Sequence, residues 1–71
     1  MTDTKKLERL IENSGYKRSF LAAQIGISPY ALLLKMNNKT EFKASEIEAL
    51  CKLLDVDIPS RMDIFFAQAV D

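Results

Sequence analysis

RSFLAAQIGISPYALLLKMN, residues 18–37, reads as two short helices joined by a tight turn. The run from Phe20 to Ile25 is apolar-rich and helical, and Gly26 stops it. Ile27 is the apolar plug of the turn. Ser28 opens a second helix with Pro29 at its first position. A serine there can accept a hydrogen bond from an unpaired N–H of the first turn. Proline there loses an N–H that had no partner, and its fixed φ suits the helix.

The spacing explains how the two helices sit close. Ala22 is small where they approach, Gly26 can take a positive φ at the corner, and Ile27 fills the wedge. Leu21 and Ile25 share one face of the first helix, and Leu32 and Met36 one face of the second. This is the helix-turn-helix pattern. Its alternative is an αα-hairpin in a small bundle with no nucleic-acid role.

At 71 residues the chain is one domain, 1–71, near the lower size limit for unaided folding. Its high apolar content and two glycines suit a compact helical protein. With no long apolar run and no signal-peptide pattern, the expected setting is the cytoplasm, with no membrane partner. A single cysteine excludes an internal disulfide, and the lack of histidine removes the usual zinc-finger and triad arrangements. Paired carboxylates in an evident pocket and glycine-rich phosphate loops are also missing, so no enzyme and no cofactor are expected.

The formal net charge is zero, which argues mildly against nucleic-acid binding. Its distribution argues the other way. Residues 1–43 carry eight basic and four acidic side chains, for +4, and residues 44–71 carry two and six, for −4. A bipolar molecule can turn its basic half toward phosphate, or toward an acidic protein.

Around the central pair, a first helix is expected over residues 4–14. Leu7, Leu10, Ile11 and Ser14 share a face, Asp3 or Thr4 can cap it, and Gly15 can end it. The second helix is expected over 17–25 and the third over 29–37, followed by the polar turn Asn37, Asn38, Lys39. Phe42 should anchor the link to the next helix, 45–54, where Ser45 and Glu48 have capping-box spacing. Residues 56–59 read as a connector. Ser60 can cap a fifth helix over 61–69, with Ala69 among its apolar groups. The expected core is Leu21, Ile25, Ile27, Leu32, Met36, Ile47, Leu50, Leu54 and Phe65, with Cys51 on its inner face as a small buried residue.

Five short helices with this turn between the second and third resemble the lambda-repressor-like family of DNA-binding domains, which includes the Cro-type regulators of temperate phages. The carriers are Leu21-Ala22, Ile25-Gly26-Ile27-Ser28, residues 32–47 and residues 62–66. The resemblance implies an all-α, five-helix domain whose third helix enters the major groove of operator DNA. It implies Arg18 and Ser19 as phosphate contacts and Ser28, Pro29, Tyr30, Leu33 and Leu34 at groove-facing positions. It also places Asn37, Asn38, Lys39 and Lys43 near phosphate after the helix.

The groove face departs from the pattern. Only Ser28, the Tyr30 hydroxyl and Lys35 could hydrogen-bond to base edges. Leu34 lies nearly opposite the Leu32–Met36 face, and Leu33 flanks it. Two leucines and a tyrosine form an apolar patch of the kind that more often meets protein. Phe20 poses the same question, because it points away from Leu21 and Ile25. Two functions stay open: a Cro-like regulator bound to double-stranded operator DNA, or a modulator that binds the cognate phage repressor. The fifth helix or a homodimer could also cover the patch.

Overall fold

The structure is a computed structural model that describes residues 1–67. The described residues form five helices and no strand: α1 (Thr4–Ser14), α2 (Arg18–Ile25), α3 (Pro29–Met36), α4 (Ala44–Leu54) and α5 (Ile58–Phe65). Each of the first three starts or ends on a residue suited to the task. Asp3 caps α1 by accepting from the N–H of Lys6, and Gly15 ends it at φ 78°. Gly26 ends α2 at φ 84°, and the Ser28 side chain caps α3 by accepting from the N–H of Ala31. α2 and α3 meet at 97°, the corner of a helix-turn-helix.

The core joins all five helices. Leu7 and Ile11 come from α1, Leu21 and Ala22 from α2, and Leu32 and Met36 from α3. Ile47, Leu50 and Cys51 come from α4, and Ile64 and Phe65 from α5. α2 packs on both α3 and α4, and α1 on α4 and α5. Of the expected core, Ile25, Ile27 and Leu54 are only half-buried and lie at its edge. Phe42 packs edge-to-face on Phe65, with ring centroids 5.3 Å apart, and so pins the link between α3 and α4. Burial pushes the Cys51 thiol above its ordinary pKa, although Arg61 opposes the shift, which suits a packing role.

Three helix starts differ from the sequence reading. α2 begins at Arg18, with Lys17 just before it. α4 begins at Ala44, and the Glu46 carboxylate reaches back to the N–H of Lys43 at 2.8 Å. Ser45 is therefore not the cap, and Glu48 instead pairs loosely with Lys52 on the surface. α5 begins at Ile58, three residues before the expected start. Asp57 caps it by accepting from the N–H of Ser60 at 2.8 Å. Pro59 falls within the first turn, where its missing N–H costs nothing. The expected continuation to Ala69 lies outside the described residues. No single helix among them is long and apolar enough to cross a membrane.

Candidate nucleic-acid interface

The exposed side of the α2–α3 corner is built from residues whose backbone is already fixed by the turn. Lys17 precedes α2 in extended conformation and gives it no side-chain cap, so the first-turn N–H groups there face outward unpaired by a side chain. A helix start of this kind favours an anion. Lys17, Arg18 and Ser19 are exposed beside it. Tyr16 and Phe20 stack on each other with centroids 5.2 Å apart, yet both stay partly exposed.

On α3 the structure presents Ser28, Pro29, Tyr30 and Leu33 outward. Tyr30 is 68% and Leu33 42% exposed. Leu34 is half-buried rather than fully outward, although it is not part of the core cluster. The Ser28 hydroxyl accepts from the Ala31 N–H and keeps its proton and one lone pair for a further partner. Asn37 is exposed, and its side-chain amide donates to the Leu33 carbonyl at 3.1 Å. Lys39 and Lys43 are exposed on the loop that follows.

Two residues expected at the surface site spend their polar groups on other parts of the chain. Lys35 does not reach the groove face. Its ammonium lies 2.6 Å from the Glu46 carboxylate, with side-chain exposures of 12% and 8%. The reason is angular: Lys35 flanks the Leu32–Met36 face, so its stem runs along the core toward α4. The ammonium also donates to the Glu41 carbonyl at 3.3 Å. Asn38, at φ 62°, spends its amide on Thr2. It accepts from the Thr2 N–H at 2.8 Å and donates to the Thr2 carbonyl at 2.9 Å. Burial alone would raise the Glu46 carboxyl. The bonds from Lys35 and the Lys43 N–H, with both lysine charges, outweigh it and hold the group below its ordinary pKa.

Sequence reasoning passed over Lys17, Tyr16 and Glu46. One signal was available. No acidic residue occurs between Glu12 and Glu41, so the whole corner and both of its helices are free of negative side chains. With Lys35 neutralised, the exposed cations of this face are Lys17, Arg18, Lys39 and Lys43. None is ion-paired within 4 Å among the described residues, but exposed Glu41 lies between Lys39 and Lys43, and the Lys43 charge acts on Glu46.

The family model for the Cro/C1-type HTH DNA-binding domain matches residues 6–60. No curated protein and no solved structure matches the chain. The matched span runs from the first turn of α1 to the first turn of α5 and contains the whole corner. With this match, five helices in the described residues and a 97° turn between α2 and α3, the chain belongs to the Cro/C1-type, lambda-repressor-like helix-turn-helix family of DNA-binding transcription regulators.

Proposed function

We propose that this protein is a phage-type regulator of a lysis–lysogeny switch, acting in the cytoplasm of the host bacterium by placing α3 in the major groove of operator DNA. The observation that carries the reading is the acid-free stretch between Glu12 and Glu41, with Lys17, Arg18 and Lys39 exposed on it and Lys43 exposed just beyond it. Arg18, Ser19 and the open start of α2 would hold one phosphate run, and Lys39 and Lys43 another. Ser28 and Tyr30 would donate to base edges, while Leu33 and Leu34 would meet thymine methyls. Pro29 and Asn37 sit at the two ends of that surface. A homodimer fits the same reading. Ile58 and Met62 on α5 and Phe66 just after it recur every four residues, and each is more than half exposed. A pair of copies would present two α3 helices to two half-sites.

The exposure of Tyr30 and Leu33 favours a second reading, in which the α3 face binds the cognate phage repressor as a modulator or antirepressor. Titration of labelled switch-region DNA, first alone and then with repressor added, separates the two. DNA binding by the protein alone supports the first. In the second, Leu33→Ala weakens the repressor complex about tenfold or more. DNA binding that needs no repressor, with repressor binding indifferent to Leu33→Ala, rejects it.

A further inference from the structure

The geometry points to Lys35 and Glu46 as positioning residues that lock the end of α3 and the loop behind it, so that Lys39 and Lys43 meet phosphate as a preformed pair. The inference rests on the reading that α3 faces DNA. α3 packs principally on α2, and on the α4 side the Lys35–Glu46 pair is the polar tie. Both ends of that tie are braced. Glu46 holds the N–H of Lys43 at the start of α4, and Lys35 holds the Glu41 carbonyl within the loop. One ammonium and one carboxylate therefore fix α3, residue 41 and residue 43 relative to one another. The Asn38–Thr2 amide pair fixes the position just before Lys39.

A buried ion pair is weak evidence for stability, because apolar replacement of both partners is often neutral or favourable. What an ion pair supplies that a methionine cannot is direction. Two short charged contacts define one placement of the loop, and a loop held in its bound shape loses less entropy on binding. Lys35 is also 11 residues from Glu46 in sequence, so the tie spans the whole segment that carries Asn37, Asn38, Lys39 and Lys43.

The test uses the double variant Lys35→Met/Glu46→Gln, which removes both charges together and keeps an acceptor oxygen for the Lys43 N–H. A labelled mixed-sequence duplex is titrated across a range of salt concentrations, with Lys39→Ala as comparator. The expected result is an affinity about three- to tenfold below wild type with the log–log salt slope unchanged. Lys39→Ala instead lowers the slope by about one. A slope lowered by about one in the double variant overturns the proposal, because Lys35 then touches phosphate itself. Affinity within about twofold of wild type overturns it as well.

Amide hydrogen exchange tests the tie without DNA. The N–H groups of Asn37, Asn38 and Lys39, bonded to the carbonyls of Leu33, Lys35 and Leu34, should exchange at least about fivefold faster in the double variant. Those of Leu21 and Leu50 should keep wild-type rates. Unchanged rates in residues 37–39, or a uniform increase along the chain, overturn the positioning role. A wild-type protein that binds no duplex defeats the DNA reading while leaving the exchange result to decide on the tie. Should the double variant fail to fold, Lys35→Gln/Glu46→Gln, which also removes both charges but keeps a polar pair at the site, carries both measurements, with a smaller change in the same direction.

Discussion

Gly26→Ala isolates the cost of the corner on which the fold turns. Gly26 sits at φ 84°, ψ 26°, and its N–H is bonded to the last carbonyls of α2. An ideal Cβ built there meets no atom within 4 Å, so collision contributes nothing. Two terms remain. A non-glycine residue in the left-handed region costs roughly 1–2 kcal/mol. Against that, alanine restricts the unfolded chain and so stabilises by about 0.4–1 kcal/mol. The net expectation is a loss of about 1 kcal/mol, or roughly 4–8 °C in Tm for a domain of this size. Urea denaturation should show a lower midpoint with an unchanged m-value, and Gly26→Asn should lose less, because asparagine tolerates this region better. The α2–α3 angle is also held by Leu21, Ala22 and Leu32, all buried. DNA affinity of the folded variant should therefore stay within about twofold of wild type. A loss above about 3 kcal/mol would refute the reasoning, since it demands a collision that the open space excludes. A gain in stability would refute it too, since it requires a negative φ.

Two further outcomes follow from the core and from Glu46. Leu50 is fully buried at the centre of α4, so Leu50→Ala should cost roughly 2–5 kcal/mol in chemical denaturation, a large share of a small domain's stability; a loss below about 0.5 kcal/mol would remove Leu50 from the core. Glu46 has a depressed carboxyl pKa in the folded state, so its contribution is complete above the ordinary value of 4.5 and is lost as pH falls below it. Stability measured against pH should therefore decline more steeply below 4.5 in wild type than in Glu46→Gln, and matching curves would show that the pair does not stabilise the charged form.

The fold was readable because its punctuation is local. Gly15, Gly26, Asp3 and the Ser28-Pro29 pair each act through their own backbone or through an N–H three residues away, which is information a linear sequence carries. The starts of α4 and α5 were harder for the same reason. Lys43 makes no side-chain cap, and near α5 both Asp57 and Ser60 are good caps on either side of a proline that suits a turn or a first helical turn equally. The site was readable in outline only. Periodicity places Lys35 beside the core face but does not say that an acid 11 residues later waits there. Nor does it bring Thr2 to Asn38, which is 36 residues away. Both corrections concern polar side chains whose partners are set by tertiary structure.

The zero net charge then acquires a definite consequence. With Lys35 neutralised, four exposed cations remain at the corner: Lys17, Arg18, Lys39 and Lys43. If all four displace counterions, the salt slope of one copy is only about −4, well short of the slopes of strongly charged DNA-binding proteins. Electrostatics of that size gives a weak contact at physiological salt. Affinity sufficient for regulation must come from elsewhere, and the exposed surface offers two sources. One is apolar contact through Tyr30 and Leu33, with thymine methyls or with a partner protein. The other would be a second copy, were the exposed Ile58, Met62 and Phe66 to join it, which would double the cation count and make the second contact intramolecular. With all four cations engaged, a slope near −4 is therefore expected of one bound copy and a slope near −8 of two.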